Sequence, residues 1–378
     1  MISYSQPTKI NFGLDVCREV PFSGKNVLCI VSKSADLHSN ISSLVCEDIR
    51  NIGANPILHV RTGGEPTSDE VTQLVVNSPS GIDAVIGIGG GSVLDIAKFV
   101  AMLKVSGGKC TDYEFGNRPI VGSLPTYLVP TTSGSGSEVT PYSVIQNSTT
   151  NRKFTISDSL LFPKAAYIDP TLTLGLPLFT SVASGLDAFI HCLEAHLNTV
   201  MNPLIRPLAI EGMRLAYSYL PQVVEDLFNL EVRTQLSLAS VMGGMCIDNS
   251  RTGLIHTLSV ALSELSLDSH GIINARMLPY VLRNNAPYYS GTMKDIIQSV
   301  MSISTKSDAD AVEVLVKWVE SMLSPLDLSF KDGVIIGERI KHLVERVQQD
   351  SGLPEINHGP LSSEIINTLF EEVASDAS

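Results

Sequence analysis

The apolar run DAVIGI at 83–88 passes straight into Gly89-Gly90-Gly91-Ser92, and a helical pattern begins at residue 93. A buried strand that ends in glycines and resumes as a helix belongs to a parallel sheet, because parallel neighbours need a crossover that lies on a sheet face. The first half of the chain repeats this unit. Short β-branched runs at 26–32 (NVLCIVS), 55–60 (NPILHV), 127–130 and 165–168 alternate with helical periods at 41–52, 69–77 and 93–105. Strands this apolar are expected to be covered on both faces. The segments 104–118 and 146–152 are polar or glycine-bearing and predict loops.

After DPTLTLGL (169–176) the strand signals stop. Apolar residues then recur at spacings of three and four over 203–227, 232–245, 312–323 and 337–349, which predicts helices. The expected fold class is α/β. A Rossmann-like parallel-sheet domain over 1–175 is followed by an all-helical domain over 176–378, and 378 residues suit two domains of ordinary size.

Charge narrows the function classes. The chain has 26 Lys and Arg against 39 Asp and Glu, a formal charge of −13 that repels nucleic-acid phosphates and anionic lipid surfaces. No window of about 18 apolar residues predicts a membrane span. Cys17, Cys29, Cys46, Cys110, Cys192 and Cys246 form no CxxC pair, which suits a reducing compartment. The start MISYSQPTKINFG lacks the basic and apolar regions of a signal peptide, so the cytoplasm is the expected address.

Three sets of residues are candidates for chemistry. Gly89, Gly90, Gly91 and Ser92 open a helix, where close backbone approach and unpaired N–H donors suit a pyrophosphate. The alternative is a tight turn that needs glycine only for its dihedral angles. A second loop, TTSGSGS at 131–137, follows the strand at 127–130, and its hydroxyls suit adenine or phosphate at the mouth of an α/β sheet. Two such loops on one sheet favour a dinucleotide. In the helical half, Asp187 and His191 are four apart and share a helix face, and His256 and His270 follow in small-residue surroundings. These side chains suit a divalent metal, and satisfied core histidines remain the alternative.

Several motifs in order then resemble the iron-containing (group III) alcohol dehydrogenases, a family related to glycerol dehydrogenase and dehydroquinate synthase. They are KINFG (9–13), GGGSVLDIAK (89–98), PTTSGSGSEVT (130–140), DPTLT (169–173), SGLDAFIHCLEA (184–195) and the stretch from GLIH to SHG (253–271). The resemblance implies a dehydroquinate-synthase-like fold, with Asp187, His191, His256 and His270 as ligands of Fe²⁺ or Zn²⁺. It implies NAD(P)H as cofactor and hydride transfer to or from a small aldehyde or primary alcohol. Gly89, Gly90, Gly91 and Ser92 would hold the pyrophosphate, and Thr131, Thr132, Ser135 and Thr140 the adenosine and phosphate side. Lys153 matches a lysine near the nicotinamide ribose, and Asp95 stands either near the nicotinamide or as a helix cap. Family members often form homodimers through their N-terminal domains.

Three positions depart from the family pattern. Lys33 stands where many NAD-using members carry an aspartate for the ribose hydroxyls; a cation there suits a 2′-phosphate, so NADP(H) is expected, the alternatives being an exposed lysine that points to solvent or Asp36 as the missing acceptor. Val260 replaces the second histidine of an HxxxH pair and removes proton relay at that position. Arg251, as in the phosphonoacetaldehyde reductase branch, suits an anionic aldehyde, with a surface ion pair as the alternative. Tyr142 and His196 are weaker pocket candidates. The competing readings are a dehydroquinate-synthase-like lyase, a polyol dehydrogenase and a non-catalytic binding protein.

Overall fold

Alternation along the central strands decides where the first core lies. The computed structural model describes residues 3–19, 25–200, 202–265, 269–326, 333–350 and 352–376. Its strands are β1 (Lys9–Phe12), β2 (Asn26–Ser32), β3 (Asn55–Arg61), β4 (Ala84–Gly89), β5 (Thr126–Pro130), β6 (Tyr142–Gln146), β7 (Lys153–Ser157) and β8 (Ala165–Ile168). Six of them form one parallel sheet in the order β1-β8-β5-β4-β2-β3. The helices around it are α1 (Lys33–Ser39), α2 (Ile41–Asn51), α3 (Ser68–Asn77) and α4 (Gly91–Ser106). Val27, Cys29 and Val31 of β2 face Ile41, Val45 and Ile49 of α2, while Leu28 and Ile30 join Val71, Leu94 and Phe99 on the other side. Both faces are therefore covered, which is why these strands carry almost no polar residue.

The strands expected at 26–32, 55–60, 83–88, 127–130 and 165–168 are present within a residue at each end. Two features escaped the periodicity. β1, KINF, has polar residues at two of its four positions and none of the four is buried, so it shows no apolar run; it is held by parallel pairing to β8. β6 and β7 form a separate antiparallel hairpin whose loop, 147–152, has no two-residue turn signal.

The second unit is helical. It contains α5 (Leu178–Leu197), α6 (Arg206–Glu225), most of α7 (Leu230–Ser250), α8 (Leu254–Leu262), α9 (His270–Asn285), α10 (Thr292–Met301), α11 (Asp308–Leu323), α12 (Gly333–Val347), α13 (Leu353–Ile356) and α14 (Ser363–Asp376). The sheet unit comprises 5–176 together with 228–237, so the first turns of α7 return to it. Because α7 runs on without a break, hydrophobic period alone does not reveal that return. No helix among the described residues is long and apolar enough to cross a membrane.

α5 forms the axis of the helical unit, with nearly every residue from Ser181 to Leu197 buried. A helix buried all round requires close neighbours, and glycines admit them. A Cβ on Gly271 of α9 would stand 2.1 Å from the carbonyl oxygen of Ala183 on α5. Backbone cannot swing aside as a long side chain can. Gly271→Ala is therefore expected to force the two helices apart and lower stability by about 1–3 kcal/mol. An unchanged denaturant midpoint at unchanged slope would contradict this close approach.

Candidate functional site

Three helices converge on one polar cluster inside the helical unit. Asp187, His191 and Glu194 lie at i, i+4 and i+7 on α5 and share one face of a largely apolar helix. His256 stands in the first turn of α8, and His270 opens α9. The donor atoms of Asp187, His256 and His270 all lie within 4.8 Å of one another. His256 Nε2 is 3.5 Å and His191 Nε2 4.0 Å from Asp187 Oδ1. The His191 and His256 rings stack with centroids 4.5 Å apart, and the His270 ring is tilted against His256 at 5.4 Å. Asp187, His191 and His256 are buried and His270 is half-buried. The compact set thus holds three of the four expected ligands, with His191 beside it.

Asn274, one turn beyond His270, fills the centre. Its Nδ2 donates to Asp187 Oδ1 at 2.8 Å and faces His256 Nε2 at 3.0 Å and His270 Nε2 at 3.2 Å. An amide nitrogen has two protons for these three acceptors. Asn274 Oδ1 is itself buried without a hydrogen-bond partner. The cluster therefore has more lone pairs than donors, the composition that a cation completes. Protonated imidazoles are the other way to answer this carboxylate. Burial alone would raise the Asp187 carboxyl, yet the charge on His191 and the hydrogen bond from His256 hold it well below the usual carboxylate range. Burial alone would lower His256; Glu194 and Asp187 overcome it and push that imidazole up to about 9. One carboxylate and three imidazoles suit Fe²⁺ or Zn²⁺.

Glu194 and Asn274 are residues of this cluster that the sequence reading missed. The Glu194 carboxylate accepts from His256 Nδ1 at 2.5 Å, and that residue is 4% exposed. For Glu194 the signal was available. A buried charge on an apolar helix needs a partner, and Glu194 shares the face of Asp187 and His191.

The sheet unit holds the glycine loop and the threonine–serine loop at the ends of β4 and β5, which are neighbouring strands. None of Gly89, Gly90 and Gly91 has a positive φ, so the dihedral alternative does not explain them. They are needed for close approach. A Cβ on Gly91 would lie 2.9 Å from Ser135 Oγ, one on Gly90 3.3 Å from Thr132, and one on Gly89 2.7 Å from Val93. The glycines let Val93 and the threonine–serine loop close on the turn, which leads into the N-terminus of α4, where free N–H groups suit a pyrophosphate. Ser92, Thr132 and Ser135 are half-buried around it, while Thr131 and Thr140 are buried. Thr131 donates its backbone N–H to the Gly89 carbonyl, and Thr140 Oγ1 turns to the Ser137 carbonyl.

Asp95 and Lys98 brace these loops from within. Asp95 accepts from Ser137 Oγ at 2.5 Å and from the Val144 N–H at 2.9 Å, so its carboxylate is engaged by protein. Lys98 is fully buried and donates to the carbonyls of Ser137, Thr140 and Tyr142. Burial pulls its ammonium below the ordinary range, and Asp95 opposes that pull from 3.5 Å. Lys153 is buried and pairs with Glu65 at 2.9 Å, and Tyr142 opens β6, half-buried.

The remaining candidates are placed as follows. Lys33 is exposed in the first turn of α1 directly after β2. Asp36 Oδ1 accepts the Ser42 N–H at 3.0 Å at the start of α2, which ties that carboxylate to the helix start and leaves its second oxygen as an acceptor. Arg251 has a left-handed backbone (φ 65°), and its half-exposed guanidinium pairs with Asp350 at 3.2 Å. That is the surface ion pair weighed against an anion pocket. Val260 lies one turn beyond His256 on α8. His196, five residues past His191, is buried, and its Nδ1 has no hydrogen-bond partner.

Comparison with known proteins accords with this geometry. The sequence profile described as iron-containing alcohol dehydrogenase matches residues 7–170, and that of the family's C-terminal part matches 181–374. The chain is 33% identical over 246 residues to alcohol dehydrogenase 4 of Saccharomyces cerevisiae, covering 65% of this chain and 64% of that protein. It is 31% identical over 258 residues to the NAD-dependent methanol dehydrogenase of Bacillus methanolicus, covering 68% of each. The match to the yeast protein thus spans just under two thirds of that relative's length. The fold is similar to the NADH-dependent butanol dehydrogenase A of Thermotoga maritima, with a TM-score of 0.89, 23% identity, and 99% and 98% of the two chains covered.

His196 provides a test of the packing around this cluster. Burial, and then the charge of Arg206, hold its imidazole down at about 4, against an ordinary 6.5. Below pH 6.5 the unfolded chain takes up a proton that the folded one refuses until about pH 4. Stability is therefore lost as pH falls through that window, by up to about 1.4 kcal/mol per pH unit. His196→Leu is expected to flatten that slope in denaturant titrations; parallel curves for the two proteins would refute the neutral, buried assignment.

Proposed function

The chain belongs to the iron-containing alcohol dehydrogenase family, and from that premise we propose that it is a metal-dependent oxidoreductase moving hydride between NAD(P)H and a small aldehyde or primary alcohol. The observation that carries this reading is the convergence of Asp187, His256 and His270 around an excess of buried lone pairs. When bound, the cation supplies Lewis-acid polarisation of a substrate oxygen, and the nicotinamide supplies or takes up the hydride.

The chain's own residues have defined parts. Asp187, His191, His256 and His270 would hold the cation, with Asp187 contributing the negative charge that offsets it. Gly89, Gly90, Gly91 and Ser92 would hold the pyrophosphate, and Thr131, Thr132 and Ser135 the adenosine side. Asp95 and Lys98 keep the two loops in register, so the turn is shaped before the cofactor arrives. Lys33, exposed in the turn directly after β2, is a cation placed to pair with a 2′-phosphate, which favours NADP(H). Val260 has no proton to give, so proton transfer to the substrate oxygen runs through another group or water.

The substrate is read as neutral. Arg251 is the group on which an anionic aldehyde, or a phosphonoacetaldehyde-like substrate, would rest, and Asp350 already neutralises it. A homodimer in the cytoplasm remains our reading of the family resemblance and of six cysteines that are all free and buried.

Purified protein loaded with Fe²⁺ or Zn²⁺ is expected to oxidise NADPH with small neutral aldehydes faster than with carboxylate-bearing ones. Removal of the metal by a chelator should abolish turnover and re-addition restore it. Bound cofactor with no net change in NAD(P)H absorbance would instead favour a lyase. In the same assay Lys33→Asp should lower kcat/KM for NADPH at least about tenfold, the equivalent of about 1.4 kcal/mol of lost phosphate pairing. Equal or better kcat/KM of the unaltered protein with NADH would sink the NADP(H) assignment.

A further inference from the structure

We propose that Glu194 is a positioning residue that dictates which nitrogen of His256 faces the cation. The inference rests on the metal reading above and deepens it.

Each oxygen of the Glu194 carboxylate meets donors only. Oε2 accepts from the backbone N–H of Gly253 at 3.0 Å, from the N–H of His256 at 3.4 Å and from His256 Nδ1 at 2.5 Å. Oε1 accepts from the N–H of Ile255 at 2.6 Å. The backbone groups belong to the start of α8, where N–H groups have no partner within the helix and negative charge is favoured. A single buried carboxylate therefore does two jobs: it caps α8 and it claims the Nδ1 proton of a side chain in that helix's first turn. With Nδ1 held by Glu194, the neutral His256 ring keeps its lone pair on Nε2, which lies 3.0 Å from Asn274 Nδ2 and 3.5 Å from Asp187 Oδ1, on the side a cation would occupy. The ring cannot turn over without leaving Glu194, and Glu194 cannot leave without uncapping α8.

Gly253 completes the seat. A Cβ there would lie 2.9 Å from Glu194 Oε1, so an added methyl would push the carboxylate off the helix start. Glutamine cannot replace it. In either amide orientation, an NH₂ group would face an N–H of the α8 start, or face both Gly253 and His256 Nδ1. The second orientation is relieved by moving the imidazole proton to Nε2, which aims an N–H at the cation position and removes the lone pair.

The test measures Co²⁺ binding by the full chain, through its visible absorption bands and chelator competition. Glu194→Gln is expected to keep wild-type helix content while binding Co²⁺ about 10- to 100-fold more weakly, with shifted bands. Ser250→Ala removes a nearby buried bond to the Ala195 carbonyl without touching Glu194, and should leave affinity and bands as in the wild type. A folded Glu194→Gln protein with wild-type affinity and bands overturns the proposal, as does equal weakening in Ser250→Ala. If Glu194→Gln does not fold, Gly253→Ala decides on the same readouts: weaker binding supports the role, and unchanged binding overturns it. A wild-type chain that takes up no Co²⁺ fails the metal reading itself, and this inference with it.

Discussion

A charged carboxylate in the interior of a helical bundle must be answered by protons or by positive charge, and Asp187 imposes that demand on everything around it. Desolvation of such an ion costs several kcal/mol unless partners surround it. The partners come from three different helices, so α5, α8 and α9 have to approach closely. Gly271 lets α9 meet the backbone of α5 beside Ala183, and Gly243 of α7 sits against the backbone of Ala188 and the Cβ of His191. Gly253 lets Glu194 reach α8. At these three positions glycine marks close contact and not flexibility.

The sheet unit meets a matching demand with opposite sign. Lys98 is buried under the loops and is satisfied by three backbone carbonyls and by Asp95. Asp95 in turn holds Ser137 and Val144. The loops that surround the glycine turn are thus fixed by charged side chains below them, and their upper surface is left for a ligand. Both units place ionised groups inside and spend them on shape.

Much of this was legible in the chain itself. The period of the apolar runs placed five of the six sheet strands, and the strand–glycine–helix run located the glycine turn. The Asp187/His191 pair, with His256 and His270, named the metal candidates before any fold was known. What escaped had physical reasons. β1 is half polar and lies at the sheet edge, and the β6–β7 hairpin lacks a tight-turn pair. Asp95, which could stand near a cofactor, is consumed by hydrogen bonds to residues some forty to fifty positions away. Arg251 and Asp350, 99 residues apart, become an ion pair only in the folded chain.

Local sequence determined which segments are strands and helices, where backbone is bare of side chains, and which residue types are available for chemistry. These follow from side-chain period and steric freedom, properties of neighbours along the chain. Tertiary structure alone decided that Glu194 belongs to His256, that Asn274 stands among three acceptors with two protons, and that Asp36 is tied to the start of α2. Those outcomes depend on how many donors and acceptors meet in one buried volume, and that count exists only once distant segments have packed together.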